Sequence, residues 1–99
     1  MNRNRQLSVA VGKLLANRRK ELRRTQSELS KKLNIQRTSL SNIESGKQVL
    51  LLDAFYCICT ELAVSPGTIL ENAIHGLDNS ITPLEEVDKA LLIGQNNKQ

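Results

Sequence analysis

Residues 34–47 read NIQRTSLSNIESGK, a run with too few apolar residues for a core helix and too regular a pattern for a loop. Plotted at about 100° per residue, Leu40 and Ile43 fall on one side, while Thr38, Ser41, Asn42 and Ser45 fall on the other. An ordinary solvated face is dominated by charge, but here the outward groups are short hydroxyls and amides. Small donors and acceptors of this kind suit a surface that must match another polar surface, such as the edges of base pairs.

The flanking segments supply the body on which such a helix would rest. A first helix is expected over about residues 6–23, with Leu7, Val11, Leu14, Leu15 and Leu22 as its inward stripe and Arg18, Lys20 and Arg23 outside. T-Q-S-E at residues 25–28 fits a capping box, so a second helix of about two turns starts there and buries Leu29 and Leu33. Asn34 tolerates the left-handed turn that follows, Ile35 plugs that turn, and Gly46 stops the third helix. A fourth helix is expected over residues 52–63 with Phe55, Ile58, Cys59 and Leu62 inward. Ser65-Pro66 starts a fifth, ending near His75. Thr82-Pro83-Leu84-Glu85 repeats the start signal, and Leu84, Val87, Leu91 and Leu92 make a narrow apolar stripe, so a short sixth helix is expected over residues 83–93. Such a stripe must pack on the five-helix body or on another copy. Residues 1–6 read as a flexible arm, residues 7–76 as one domain, and residues 77–99 as an extension.

Composition bounds the function. A chain of 99 residues supports one small all-α domain with an aliphatic core. Its formal charge of +4 is unevenly spread: residues 1–47 hold twelve Lys or Arg against three acids, giving +9, and residues 48–99 hold two against seven, giving −5. The basic half suits phosphate neutralisation or an anionic surface. No apolar run approaches the ~20 residues that span a bilayer, and Lys13 interrupts the stretch nearest to a signal sequence, so a cytoplasmic, nucleoid-associated location is expected. Cys57 and Cys59 lie about 200° apart on a helix and cannot jointly hold a metal, and no Cys or carboxylate stands at ligand spacing from His75 in the sequence. No metal and no cofactor are expected. No paired-carboxylate cleft, nucleophilic triad or glycine-rich phosphate loop is present in the sequence, so an enzyme is not expected either.

The stretch VGKLLANRRKELRRTQSELSKKLNIQRTSLSNIESGKQ, followed at matching distance by LAVSPGTIL, resembles the Cro and lambda-repressor helix-turn-helix family, also called XRE-type. The resemblance runs from about residue 11 to residue 70, with the helix-turn-helix unit at 26–45. It implies a five-helix, lambda-repressor-like DNA-binding fold, here with the short additional C-terminal helix. It also implies that residues 37–45 form the recognition helix, with Arg37, Thr38 and Asn42 reading bases. Gln26, Gln36, Ser41 and Lys47 would meet phosphates, with Arg18, Arg23 and the arm residues Arg3 and Arg5 as further backbone candidates. Arg19 and Glu44 would form an internal ion pair, and Glu44 lies about 70° from the centre of the buried side, where a lone charge would be costly.

Three positions depart from the family pattern. Arg23 and Arg24 stand where a glycine and an apolar residue are common, so the first turn is expected to be strained or differently shaped. Leu50-Leu51 replaces a proline and a polar cap, leaving the fourth helix without a good start, and Ala63 replaces a glycine. The implied activity is that of a transcriptional regulator, a repressor acting on double-stranded DNA as a homodimer. Val49, Leu50, Leu51, Leu84, Val87 and Leu91 are the expected dimer or partner surface. An antitoxin-like adaptor whose acidic, apolar C-terminal half binds a different protein is the alternative.

Overall fold

The computed structural model describes residues 2–77, with side chains from Gln6 onward. Five helices make up this part: α1 (Asn2–Glu21), α2 (Gln26–Leu33), α3 (Arg37–Ser45), α4 (Leu52–Glu61) and α5 (Pro66–Gly76). The all-α, five-helix expectation therefore holds. The sixth helix at 83–93, with Leu84, Val87 and Leu91, falls outside the described residues.

The first helix begins earlier and ends earlier than expected. Residues 2–6, read as a flexible arm, continue α1, because no proline or glycine interrupts the chain before Gly12 and Arg, Gln and Leu propagate a helix well. At the other end the Arg23 amide donates to the Lys20 carbonyl (2.9 Å) and the Arg24 amide to the Arg19 carbonyl (3.1 Å), with Arg23 left-handed at φ 59°. This paired closure unwinds the last turn. Leu22, assigned to the inward stripe, is thereby turned out and is 37% exposed.

The same closure recurs at three other helix ends. Asn34 (φ 58°) closes α2, Gly46 (φ 78°) closes α3 and Ala63 (φ 56°) closes α4. In each case the next residue's amide reaches back to Ser30, Asn42 or Cys59. Asn34 and Gly46 suit the left-handed region. Arg23 and Ala63 pay a steric cost of about 1–2 kcal/mol each.

The core comprises Val11, Leu15, Leu29, Leu40, Ile43, Phe55, Ile58, Cys59, Leu62, Ile69 and Ala73. Helix α1 packs on both α3 and α5, while α2 bridges α3 and α4. Gly12 sets the approach of α1 to α3: a Cβ there would overlap the carbonyl oxygens of Ile43 and Glu44. At nine residues α3 is shorter than the ~12–15 needed for an autonomous helix, so packing must hold it. Leu40 and Ile43 are 1% and 5% exposed. Burying each side chain contributes about 1.5–3 kcal/mol.

Helix α4 confirms the poor start and shows what offsets it. Leu51 makes no side-chain cap bond. At the opposite end the Arg18 Nε donates to the Leu62 carbonyl (2.9 Å), and Arg24 donates to the Glu61 carbonyl (3.1 Å) and carboxylate (3.0 Å). Two guanidinium groups thus satisfy terminal carbonyls and complement the negative end of the helix.

Candidate nucleic-acid interface

With Leu40 and Ile43 directed into the core, the opposite side of α3 is open. Gln36, Arg37, Thr38, Asn42, Ser45 and Lys47 are exposed, and Ser41 is half-buried at the flank. Gln36 precedes the helix in an extended conformation and makes no side-chain cap bond, so the first amides of α3 are not occupied by a side chain of their own cap. Those amides carry the positive end of the helix and sit beside Arg37.

Behind this face runs a chain of polar contacts that joins three helices. Arg19, 8% exposed, donates from Nε to Glu44 Oε2 (2.7 Å) and from Nη2 to Glu44 Oε1 (3.0 Å), a two-pronged contact between α1 and the last turn of α3. Its third bond, from Nη1, goes to the Arg24 carbonyl (2.7 Å) and ties the α1–α2 turn to the same point. Gln26, the first residue of α2, donates from Nε2 to Glu44 Oε1 (2.8 Å) and accepts from Arg37 Nη1 through Oε1 (3.1 Å). A carboxylate on one side and a guanidinium on the other leave the amide only one orientation that satisfies both. Glu44 therefore positions Gln26, and Gln26 positions Arg37.

The surroundings are cationic. An open polar hollow lies between the α1–α2 turn and the start of α3, lined by Lys20, Arg23, Arg24, Gln26, Ser27 and Arg37. The capping box at its edge is complete: Glu28 N donates to Thr25 Oγ1 (3.0 Å) and Thr25 N donates to the Glu28 carboxylate (2.8 Å).

Most of the site residues anticipated from sequence gather on this side of the molecule. Arg18, taken as a phosphate candidate, spends its guanidinium on the carbonyls of Leu62 and Ala63 and on Glu21. Its Nε and Nη2 thus lie against the carbonyls that end α4. The side chains of Arg3 and Arg5 fall outside the described residues. Val49, Leu51 and Leu52 are 74%, 70% and 78% exposed, and Leu50 is half-buried against the core. Leu84, Val87 and Leu91 again fall outside the description. Cys59 is buried, which pushes its thiol pKa up by desolvation, and Cys57 is exposed.

Two residues of structural weight escaped the sequence reading. Arg24 reaches Glu61 across 37 positions, a pairing without local periodicity to betray it. Gly12 did carry a signal: glycine inside a helix is costly, and its presence marks a close backbone approach.

Among the described residues no helix is long and apolar enough to cross a membrane. Comparison with curated proteins and with solved structures returns no match. A family model described as a helix-turn-helix domain matches residues 12–73, which takes in the whole of the exposed face and the polar chain behind it. The protein accordingly belongs to the helix-turn-helix domain family, as an all-α, lambda-repressor-like DNA-binding regulator.

Proposed function

We propose that the protein is a sequence-specific transcriptional repressor that binds a pseudo-palindromic operator as a homodimer, with α3 in the major groove. The observation that carries this reading is the division of α3: Leu40 and Ile43 hold one side to the core, and Thr38 and Asn42 stand in solvent on the other. On this reading Arg37 donates two bonds to a guanine, Asn42 pairs with an adenine, and the Thr38 methyl group packs on a thymine. Gln26, Gln36, Ser41 and Lys47 meet the phosphates on either side, with Arg23 as a further backbone contact. The Gln26–Arg37 bond, 3.1 Å long, supports this role by limiting the rotamers that Arg37 must give up on binding.

One nine-residue helix reads only a few base pairs, so useful discrimination needs two copies about one helical turn apart. The partner surface is proposed to be the exposed apolar run of Val49, Leu51 and Leu52, continued by Tyr56, which is 62% exposed. Selection of bound sequences from a random DNA pool tests the reading. The expected product is a two-fold symmetric site whose half-sites are separated by about one turn of DNA. Recovery of no common sequence would refute it. In sedimentation at micromolar concentration a dimer is expected, and Leu51→Glu with Leu52→Glu should yield monomers. A monomeric wild-type protein, or an unrelated protein held on this patch, would overturn the homodimer.

A further inference from the structure

The lead into α4 carries two features that the DNA face does not use. One is a hollow of about 180 Å³ lined by Ser8 and Val11 of α1, by Leu50, Leu52 and Phe55 at and just before the start of α4, and by Leu70 of α5. Apart from Ser8 these side chains are apolar. The other is a projection. Leu51 stands between Leu50 and Leu52 in extended backbone (φ −70°, ψ 148°), where successive side chains point to opposite sides. It takes no part in the lining and is 70% exposed, beside Val49 at 74%. One short segment thus walls a hollow and also projects into solvent.

We propose that the hollow receives Leu51 of a second copy, reciprocally across the two-fold axis of the dimer. This socket presupposes the homodimer proposed above and names how its surfaces engage. Three observations favour a copy of the same chain as the occupant.

The first is self-complementarity. In a two-fold interface the same patch appears on both sides, so it must offer a projection and a recess that fit each other. Residues 49–52 contribute to both within four positions.

The second is size. A cavity of about 150 Å³ admits a molecule of benzene. The hollow of about 180 Å³ therefore accommodates the branched four-carbon side chain of a leucine, and its lining asks for no hydrogen bond that leucine lacks beyond the Ser8 hydroxyl. Val49 is shorter by one carbon and would fill it less well.

The third is charge. Residues 48–52 hold no charged side chain, and the run is bounded by Lys47 on one side and Asp53 on the other. A two-fold axis crossing the run near Leu50 sets the two segments antiparallel, so that lysine approaches aspartate and like charges stay apart. A partner charged with one sign would meet repulsion at one end.

The test is sedimentation equilibrium of the full chain over a range of concentrations, with circular dichroism to verify folding. Leu51 is exposed within one copy, so Leu51→Ala should fold normally while its dimer Kd rises on the order of 100-fold, because two recesses are left unfilled. Ser8→Phe fills the hollow and leaves the exposed run unaltered, and it should raise the Kd comparably; Ser8→Leu serves if phenylalanine prevents folding. In the Ser8→Phe background, Leu51→Ala should add less than about threefold, since its recess is already closed. A folded Ser8→Phe protein with the Kd of the wild type, or two changes whose effects simply multiply, would overturn the socket and leave the homodimer standing. A wild-type Kd accompanied by lost stability would assign the hollow to another part of the same chain, and would equally overturn the proposal. A monomeric wild type would overturn both readings.

Discussion

Replacing Arg19 with alanine removes three bonds at once: two to Glu44 (2.7 and 3.0 Å) and one to the Arg24 carbonyl (2.7 Å). The Glu44 side chain, 7% exposed, would keep its charge with Gln26 Nε2 as its remaining side-chain donor. Breaking a buried pair in this way costs about 3–5 kcal/mol, since the surviving charge has lost its partner but not its burial. At roughly 0.05–0.15 kcal/mol per residue, a domain of this size has only about 4–11 kcal/mol of stability. The loss is therefore a large share of the whole, and it corresponds to a fall in Tm on the order of 12–40 °C. Urea unfolding followed by circular dichroism measures it. Removing both charges with Arg19→Met and Glu44→Met should cost less than either single change, because no orphaned ion is left. DNA affinity of Arg19→Ala should fall only in proportion to the folded fraction and to the loosened Gln26–Arg37 brace. An Arg19→Ala protein within about 1 kcal/mol of wild type that nevertheless fails to bind DNA would refute the reasoning, since the pair would then act in recognition and not in holding α3.

Other outcomes follow from the helix ends and the close approach of α1 to α3. Arg23→Gly and Ala63→Gly should each raise stability by about 0.5–1 kcal/mol in urea unfolding, as relief of the left-handed strain exceeds the added freedom of the unfolded chain. Only Arg23→Gly should also weaken DNA binding, measured by fluorescence anisotropy. Gly12→Ala should destabilise by about 1–3 kcal/mol or more, because its methyl group meets carbonyl oxygens that cannot move without parting α1 from α3; a neutral effect would show that the helices separate freely. Lys47→Ala should weaken specific and random DNA about equally and reduce the slope of log affinity against log salt by about 1.

Local rules made much of this architecture readable. The capping box at Thr25 and Glu28, the left-handed Asn34, the stop at Gly46 and the Ser65-Pro66 start each depend on residues within a turn of one another, and each stands where it was expected. The two faces of α3 were legible for the same reason, since a period of 3.6 residues is fixed by helix geometry. Leu22 was misread because its side depends on where α1 ends, and that end is set by Arg23 and not by the stripe. The contact of Arg18 with the end of α4 was not legible, because a guanidinium looks alike in sequence whether it faces solvent or a helix end. The recognised departures at Arg23 and Ala63 proved informative, for both occupy the left-handed positions where glycine would be unstrained. What Arg24 does could not be read locally, because its partner Glu61 becomes a neighbour only when α4 packs under the first turn.

The account rests on α3 presenting Arg37, Thr38 and Asn42 to base edges, and the ratio of operator affinity to random-DNA affinity in Asn42→Ala tests this most directly. With an operator recovered by selection, losing one base contact should lower that ratio by about 1–3 kcal/mol, roughly 5- to 150-fold, with affinity for random DNA unchanged. A ratio equal to that of the wild type, in a protein that remains folded, would contradict the assignment of this face to base reading.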